Sequence, residues 1–330
     1  MTTRVAVLGA GSWGMALALL LARNQHAVSL WGHDTAHMQQ VATMRHNPKY
    51  FPNATFPPTL EVRLDLAEAV HAVDHVLLVV PSHAFSTTLA AIAPQLAAKT
   101  GVLWGTKGLD SDGRWLHEVA EQHLGKKHKL AVLSGPSFAS EVIAEKPTAV
   151  TIAANDLHYG EILCQLFSNA YFRAYQSSDL IGVQLGGAVK NILAIAAGIV
   201  DGSSLGANAR SALITRGLAE MMRLGLAVGA QPTTLMGLAG VGDLVLTCTD
   251  NQSRNHRFGF LLGQGLTVKM ALEQIGQVVE GVKTTERVQR LRAHHQIDMP
   301  ITQCVHEVLQ ETIGVKQALQ QLMARPLRFE

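Results

Sequence analysis

The sequence predicts an α/β protein in which a doubly wound, mostly parallel sheet is followed by an all-helical domain. Short apolar runs alternate with helix-period segments up to about residue 178, and only helical periodicity follows. The chain of 330 residues is long for one hydrophobic core, and its 48% of hydrophobic residues can fill two cores. We therefore expect one domain over residues 1–180 and a second over residues 181–330.

The first domain is predicted from seven apolar runs that Gly, Pro and Ser bound and that helix-period segments separate. This alternation is typical of βαβ units, in which helices join parallel strands. Prolines around residues 50–58 predict an irregular stretch, because proline lacks the N–H that helices and strands use. The predicted strands cover residues 5–8, 27–31, 75–80, 101–104, 130–134, 149–153 and 171–175.

The second domain is predicted to begin with a long apolar helix near residues 179–201. This helix is about as long as a membrane span, but Gln184, Lys190 and Asn191 interrupt it. A lysine at the bilayer centre costs about 3 kcal/mol on insertion scales. We therefore expect a core helix and no stable insertion into a membrane. Further helices are predicted over residues 210–228, 268–275, 284–294 and 302–309.

Composition and charge exclude several classes of protein. The net charge is only +2 and the basic residues are scattered, which argues against a nucleic-acid-binding surface. The three cysteines lie far apart, as is typical of free thiols in a reducing compartment. The histidines form no HExxH motif, so we expect no metal. The N-terminus resembles a strand and not an export signal, so we expect a cytoplasmic protein.

The first predicted strand runs directly into the motif GAGSWG at residues 9–14, and a helix pattern follows. In such a GxGxxG motif, Gly9 permits the tight turn, Gly11 lets the backbone approach a pyrophosphate, and Gly14 allows close packing of helix and strand. The pyrophosphate then lies at a helix N-terminus, where unpaired N–H groups favour negative charge. The motif in this context predicts a Rossmann-like domain that binds a nicotinamide or flavin dinucleotide.

The end of the second predicted strand carries signals for both nicotinamide dinucleotides. Asp34 has roughly the spacing at which NAD-specific sites place a carboxylate on the ribose 2′-hydroxyl. Gly32 and His33 leave room for a 2′-phosphate, which permits NADPH. Asp34 has an equally plausible alternative role as the cap of the next helix. We expect either NADPH or NADH as the cofactor.

Polar side chains follow two later strands of the predicted sheet. Lys107 lies beside glycines after the strand at residues 101–104, where it can attract a substrate phosphate or carboxylate. A surface lysine is the alternative. Gly135 and Ser137 follow the next strand in a Gly-Pro turn, whose hydroxyls and N–H groups suit a polar ligand. These positions agree with the rule that ligands bind beyond the carboxyl ends of parallel strands.

Lys190 interrupts the apolar helix that opens the second domain. Apolar residues cover most of this helix's circumference, so few directions around it are wet. Partial burial lowers the pKa of a lysine ammonium in general, which suits a proton donor and acceptor near neutral pH. We interpret Lys190 as catalytic; the alternative is a structural lysine whose ammonium reaches solvent.

Two further segments of the second domain combine charge with a predicted helix start. Asp243 follows a glycine-rich stretch and could orient Lys190 or accept a bond from a substrate hydroxyl. Ser253 is a suitable N-cap for a helix that begins at Arg254, and helix starts bind anions. The guanidinium of Arg254 adds a fork that matches phosphate. A capped loop and solvated arginines are the alternatives.

Seven stretches of this sequence, taken together and in this order, resemble the bacterial-type NAD(P)-dependent sn-glycerol-3-phosphate dehydrogenases. The resemblance extends from Val5 to about Gln320 and is far more specific than the glycine motif alone. It implies a reversible reduction of dihydroxyacetone phosphate to sn-glycerol 3-phosphate for glycerophospholipid synthesis, and it suggests a homodimer. The stretches lie at residues 9–14, 105–108, 134–139, 189–191, 208–217, 237–244 and 253–255.

The resemblance also implies roles for individual residues. Lys190 would exchange a proton with the C2 oxygen of the substrate, while Asp243 and Asn191 hold its orientation. The implied substrate-binding residues are Lys107, Gly135, Ser137, Lys190, Asp243, Ser253, Arg254 and Asn255. The implied cofactor-binding residues, together with Gly9, Gly11 and Gly14, are Ser12, Trp13, His33, Tyr50, Lys107, Ala139, Arg254, Val278 and Glu280.

Two other functions are compatible with the same architecture. A β-hydroxyacid or ketopantoate-type reductase would recognise a carboxylate and would need no phosphate grip. A non-catalytic NAD(P)-sensing module would bind the dinucleotide tightly without oxidising it. Such a module should show a basic or hydrophobic partner surface, and the balanced charge gives no sign of a basic one.

Overall fold

The computed structural model describes residues 2–126 and 128–325, and it divides the chain into two compact units. Unit 1 covers Met1–Gln184 and unit 2 covers Leu185–Glu330. Unit 1 is an α/β unit built on one sheet, and the described part of unit 2 is helical. The predicted fold class is confirmed.

The sheet of unit 1 has eight strands in the order β3-β2-β1-β4-β5-β6-β7-β8. Neighbouring strands are parallel except β6 and β7, which are antiparallel. The strand order reverses between β1 and β4, and such a point opens a crevice beyond the carboxyl ends of the strands. The strands are β1 (Arg4–Leu8), β2 (Ala27–Trp31), β3 (Leu60–Val62), β4 (His75–Leu78), β5 (Gly101–Trp104), β6 (Leu130–Ser134), β7 (Thr148–Ala154) and β8 (Phe172–Ser177).

Seven α-helices lie wholly within the described residues of unit 1. The first of them, α1, buries every residue from Gly14 to Ala22 because it is apolar around its whole circumference. It follows β1, whose residues Val5–Leu8 are fully buried. The helices are α1 (Ser12–Arg23), α2 (Thr35–Met44), α3 (Leu66–Val70), α4 (Phe85–Ile92), α5 (Leu116–Leu124), α6 (Ala139–Ile143) and α7 (Leu157–Phe167).

The sheet differs from the sequence prediction at β3 and at several strand ends, among them those of β4 and of β8, which ends at Ser177, two residues beyond its predicted end. The short edge strand β3, Leu60–Val62, pairs with β2 and has no counterpart among the predicted strands, because its three residues include the exposed Glu61 and show no apolar run. Strand β4 ends at Leu78 and not at Val80, because its partner β1 ends at Leu8 and turns away at Gly9.

Helix α8 extends from Leu180 to Gly202 and crosses the division between the units. It is the one helix in the described residues that is long and apolar enough to span a membrane, yet 94% of its apolar window is buried inside the protein. The remaining helices are α9 (Gly206–Val228), α10 (Pro232–Leu235), α11 (Asp243–Thr249), α12 (Arg254–Gly263), α13 (Val268–Ile275), α14 (Glu280–His294), α15 (Pro300–Leu309) and α16 (Val315–Met323).

Helices α8 and α12 approach each other backbone to backbone. A Cβ atom at Gly198 would overlap the carbonyl oxygen of His256, and one at Gly259 would overlap the carbonyl oxygen of Ile195. Only glycine fits on either side of so close a crossing. The crossing therefore fixes where α12 begins relative to the middle of α8.

Candidate active-site residues

The glycine-rich loop of unit 1 contains glycines of two kinds. Gly9 has φ +122° and a Cβ there would lie 2.6 Å from the carbonyl oxygen of Val79, while one at Gly14 would overlap the carbonyl oxygen of Gly9. The fold itself therefore requires these two glycines. Gly11 has φ −72°, and a Cβ there would meet nothing within 4 Å. The backbone at Gly11 is thus open to an incoming group, which is the fit that a pyrophosphate needs.

Ser12 and Trp13 form the first turn of α1, beside this open backbone. The indole of Trp13 lies against the end of β5, because a Cβ at Gly105 would be 2.9 Å from its Nε1. The buried Nε1–H of Trp13 has no hydrogen-bond partner within residues 2–126 and 128–325. The backbone N–H groups at the start of α1 and the indole N–H of Trp13 are therefore neighbouring donors, directly after the glycine-rich loop.

Asp34 caps helix α2, since its Oδ1 accepts a hydrogen bond of 3.0 Å from the backbone N–H of His37. The capping alternative for this residue is thus the one that the structure shows. The same hydrogen bond, with nearby charge on His37, His33 and Lys49, lowers the pKa of Asp34. His33 is exposed. Tyr50 lies edge-on to His37, with 6.3 Å between the ring centroids.

The loops after β5 and β6 carry the other predicted residues of unit 1. Thr106 donates a hydrogen bond of 2.8 Å to the carbonyl oxygen of Val80, and the half-buried Lys107 follows it. After β6, the hydroxyl of Ser137 donates to the carbonyl oxygen of Gly135 at 2.9 Å. Ala139 begins α6 two residues later and is half-buried.

Lys190 and Asp243 are two almost fully buried charged residues of unit 2. Lys190 is 6% exposed and Asp243 is 1% exposed. The ammonium of Lys190 donates to the carboxylate of Asp243 and, at 3.0 Å, to the hydroxyl of Thr247. A buried charge of this kind is tolerable only when it is paired and hydrogen-bonded. The predicted pairing of Lys190 with Asp243 is confirmed.

Gly186 lets the segment before α11 pack closely enough against α8 for Asp243 to contact Lys190. Gly186 precedes Lys190 by one helical turn on the same face of α8. A Cβ at Gly186 would overlap the carbonyl oxygen of Ala239, so the loop before α11 can approach α8 closely only because this side chain is missing. That loop ends at Asp243, the first residue of α11.

Thr247 is the residue of this cluster that the sequence reasoning missed. It lies one turn after Asp243 on α11 and donates to the carbonyl oxygen of Asp243 at 2.6 Å. Its single hydroxyl proton is therefore engaged, and the lone pairs of its oxygen face Lys190. The i, i+4 spacing of Asp243 and Thr247 is the signal in the sequence that could have found it.

Asn191 does not play the role that was expected for it. Its Nδ2 donates to the carbonyl oxygen of Gly187, and its Oδ1 accepts a bond of 2.9 Å from Asn255. The side chain of Asn255 also accepts a bond of 2.9 Å from the backbone N–H of Gly281. The two asparagines thus join α8, α12 and the start of α14, while the structure gives Asp243 and Thr247 as partners of the Lys190 ammonium.

The start of α12 has the predicted cap. The hydroxyl of Ser253 accepts a bond of 3.2 Å from the backbone N–H of His256. Arg254, the first residue of the helix, places its guanidinium 3.5 Å from the side-chain oxygen of Gln277. Val278 is exposed, and Glu280 is the first residue of α14. In the described residues, no group of His, Cys, Asp and Glu could hold a metal ion.

The fold of unit 1 and the paired lysine of unit 2 define a dinucleotide-dependent oxidoreductase. Residues 4–159 match a family model described as the NAD-dependent glycerol-3-phosphate dehydrogenase N-terminus, and residues 179–320 match the model of its C-terminus. The chain belongs to the NAD-dependent glycerol-3-phosphate dehydrogenase family. The resemblance found in the sequence is confirmed.

Individual relatives agree with the family models over almost the whole chain. The chain is 53% identical over 328 residues to the glycerol-3-phosphate dehydrogenase [NAD(P)+] of Yersinia pestis, a match that covers 99% of this chain and 97% of the relative. A crystal structure of glycerol-3-phosphate dehydrogenase from Coxiella burnetii shares 49% identity with a TM-score of 0.95, over 98% of this chain and 99% of that one.

A ketopantoate reductase from Ralstonia eutropha has a related fold. It shares 17% identity with a TM-score of 0.60, over 97% of this chain and 100% of that one. A likeness at this level of identity concerns the fold alone. The ketopantoate-type alternative is therefore not favoured over the family to which both halves of the chain belong.

Proposed function

We propose that this protein reduces dihydroxyacetone phosphate to sn-glycerol 3-phosphate with NADPH or NADH, reversibly, and so supplies glycerophospholipid synthesis. The observation that carries the proposal is the buried Lys190, paired with Asp243 and Thr247, in a chain whose two halves match the dehydrogenase family. When bound, the reduced nicotinamide supplies the hydride that the ketone carbon of the substrate receives. The protein must supply a proton for the oxygen and a grip for the phosphate.

Lys190 is the proposed proton donor. Its ammonium can give a proton to the C2 oxygen as negative charge develops there, and it takes the proton back in the reverse reaction. The carboxylate of Asp243 holds the ammonium in place and compensates its charge. Thr247 fixes a second N–H direction of the ammonium, because its hydroxyl is already oriented by the carbonyl oxygen of Asp243.

The phosphate grip is proposed to come from two kinds of donor. The capped start of α12 offers backbone N–H groups, and Arg254 adds a planar guanidinium at the same helix end. Lys107 contributes a further positive charge. Gripping the remote phosphate positions the reacting carbon, because binding energy there orients the rest of a small substrate. The proposed substrate-binding residues are Lys107, Gly135, Ser137, Lys190, Asp243, Ser253, Arg254 and Asn255.

The dinucleotide is proposed to bind at the glycine-rich loop, where the backbone at Gly11 is open. The positive charge of Lys49 near Asp34 suits a 2′-phosphate, whereas the second oxygen of the Asp34 carboxylate can accept a hydrogen bond from a ribose hydroxyl, so the site is compatible with both dinucleotides. The proposed cofactor-binding residues are Gly9, Gly11, Ser12, Trp13, Gly14, His33, Tyr50, Lys107, Ala139, Arg254, Val278 and Glu280. We also propose that the protein works as a homodimer, on the ground of the family resemblance, and that it is cytoplasmic, as the three widely spaced cysteines indicate.

The experiment that tests the reaction follows the oxidation of NADPH and NADH at 340 nm with dihydroxyacetone phosphate and with unphosphorylated dihydroxyacetone. We expect the phosphorylated ketone to give a kcat/KM at least about a hundredfold higher, because several charge-assisted hydrogen bonds to phosphate are lost without it. Similar efficiency with both ketones would contradict the phosphate grip. No oxidation of either dinucleotide would contradict the reaction itself.

A further inference from the structure

The side chain of Asn47 is completely buried in the loop that follows α2, at 0% exposure. Its Nδ2 donates a hydrogen bond of 3.1 Å to the carbonyl oxygen of Ala10, a residue 37 positions earlier in the chain. Ala10 lies between Gly9 and Gly11 in the glycine-rich loop. A side chain from a different loop thus holds the middle of the GxGxxG motif.

The other end of the same amide holds a second proposed cofactor-binding segment. The Oδ1 of Asn47 accepts hydrogen bonds from the backbone N–H groups of Lys49, at 3.2 Å, and of Tyr50, at 3.3 Å. The backbone carbonyl of Asn47 also accepts from the N–H of Phe51 at 2.9 Å. Donor and acceptor of one buried amide therefore connect the glycine-rich loop with the loop of Tyr50.

We propose that Asn47 is a positioning residue for the dinucleotide. A trans peptide unit is planar, so its C=O and N–H point in opposite directions. The bond to the carbonyl oxygen of Ala10 therefore fixes the direction of the Gly11 N–H, at the place where the backbone is open to an incoming group. The same side chain fixes the start of the Tyr50 segment. The inference rests on the proposed binding of the dinucleotide at this loop.

Substitutions at Asn47 can remove the side-chain donor and keep a side-chain acceptor. Asn47→Asp keeps an oxygen that accepts from Lys49 and Tyr50, but it removes the donor and places a second oxygen against the carbonyl of Ala10. Asn47→Ser keeps a short acceptor for the local turn and is too short to reach Ala10. Both variants release the glycine-rich loop while they retain a turn-forming side chain.

Asn169 provides a matched control. Its Oδ1 accepts from the N–H groups of Tyr171, at 2.9 Å, and Phe172, at 2.8 Å, and its Nδ2 donates to the side chain of Asn24 at 2.8 Å. The pattern of bonds is similar to that at Asn47, although Asn169 is half-buried and its Nδ2 donates to a side chain, and this turn carries no proposed cofactor-binding residue. Asn169→Asp should therefore show the effect of an Asn-to-Asp change in such a turn without an effect on the dinucleotide.

The experiment measures the Kd of NADPH by fluorescence titration, and KM and kcat for both substrates. We expect Asn47→Asp to raise the Kd and KM of the dinucleotide about tenfold or more, which corresponds to one lost hydrogen bond. The KM of dihydroxyacetone phosphate and the kcat at saturating dinucleotide should stay within about threefold of wild type. Asn169→Asp should leave the dinucleotide constants unchanged, whatever it does to the urea midpoint.

Equal dinucleotide constants in Asn47→Asp and Asn169→Asp would overturn the inference. If Asn47→Asp does not fold, Asn47→Ser decides by the same criterion. Gly11→Ala separates this result from a failure of the proposed function, because its Cβ meets no protein atom and can obstruct only a ligand. If Gly11→Ala binds NADPH normally, the proposed dinucleotide site is wrong; if it does not bind and Asn47→Asp is unaffected, only the inference is wrong.

Discussion

The ammonium of Lys190 donates to oxygens of Asp243 and Thr247. A substitution that keeps the positive charge but gives up a proton poorly can test whether Lys190 acts as an acid. Lys190→Arg keeps a cation beside Asp243, but a guanidinium stays charged and gives up a proton poorly. We expect kcat to fall by about 10²–10⁴, the usual range for lost acid–base catalysis. The Kd of NADPH, measured by fluorescence, should not change. Lys269→Arg, on the exposed face of α13, is the control, and near-wild-type turnover of Lys190→Arg would remove Lys190 from the mechanism.

Thr247 can be tested against a threonine two residues later on the same helix. Thr247→Val removes the oxygen that accepts from the ammonium of Lys190, and a hydrogen bond to a charged group contributes about 1.5–3 kcal/mol. We expect kcat to fall by about 10–100-fold and the pH profile of kcat to shift, with recovery in Thr247→Ser. Thr249→Val, which removes a hydroxyl that donates to the backbone carbonyl of Val245 at 2.8 Å, should have wild-type kinetics. An unchanged pH profile in Thr247→Val would contradict the role.

At the scale of residues, the sequence predicted functional residue types better than their partners. For Asp243 the sequence left two roles open, orienting Lys190 or accepting a bond from a substrate hydroxyl, and the structure shows the contact with Lys190. The contact of Asn191 with Asn255 could not be predicted, because it depends on how closely α8 and α12 cross. From the sequence, Asp34 was equally compatible with binding a ribose hydroxyl and with capping α2, and the hydrogen bond from the His37 N–H shows that it caps the helix.

The crossing of α8 and α12 has a testable consequence for the start of α12. In Gly259→Ala, the new Cβ would overlap the carbonyl oxygen of Ile195, so the two helices must separate. We expect a loss of about 1–3 kcal/mol in the free energy of unfolding, as is usual for overpacked cores. The KM of dihydroxyacetone phosphate should also rise, because α12 carries the proposed phosphate grip. Urea unfolding and steady-state kinetics measure the two effects.

Gly314 provides the control for this substitution. A Cβ there would meet nothing within 4 Å, and its φ of −82° suits any residue. Gly314→Ala should leave both the urea midpoint and the KM unchanged. If Gly259→Ala were as stable as Gly314→Ala, the close crossing would not be needed for the position of α12.

At the scale of elements, segments with a clear apolar period were predicted well, whereas segments without one and polar helix starts were not. Helix α13 has the predicted bounds, because its apolar residues recur clearly with helical period. Strand β3 was missed because a three-residue edge strand leaves no periodic signal. Helices α14 and α15 begin two to four residues earlier than predicted, at Glu280 and Pro300, since polar first turns hide a helix start.

At the scale of the whole molecule, the two units contain buried groups that respond to pH in opposite ways. Burial is the main cause that lowers the pKa of His75 and His117 in unit 1. Burial also raises the pKa of Glu220 in unit 2, whose carboxylate accepts bonds from Ile301 and Thr302. The stability that depends on the two histidines is therefore lost as the pH falls, whereas the stability that depends on Glu220 is lost as the pH rises.

The direction in which pH changes the stability contributed by His75 and His117 follows from how many protons they bind in the folded and unfolded states. Their pKa lies below the ordinary value of 6.5 in the folded protein, so the folded state binds fewer protons than the unfolded state. The stability they contribute is present above pH 6.5 and is lost as the pH falls through their folded pKa. At His117 burial is the largest cause, and it outweighs the nearby charges of Glu118 and Glu121 and the hydrogen bond with Gln184, all of which raise the pKa.

We therefore expect the urea midpoint of the wild-type protein to fall between pH 7.5 and pH 5.5. The fall should be smaller in the double variant His75→Gln/His117→Gln, because two groups that would bind protons on unfolding are removed. His294→Gln/His295→Gln, on the last turn of α14 and its end, is the control and should keep the wild-type slope. Glu220 cannot produce this fall, since a raised carboxyl pKa favours the folded state as the pH decreases. If the double variant lost as much stability as the wild type, the acid sensitivity would have to come from other groups.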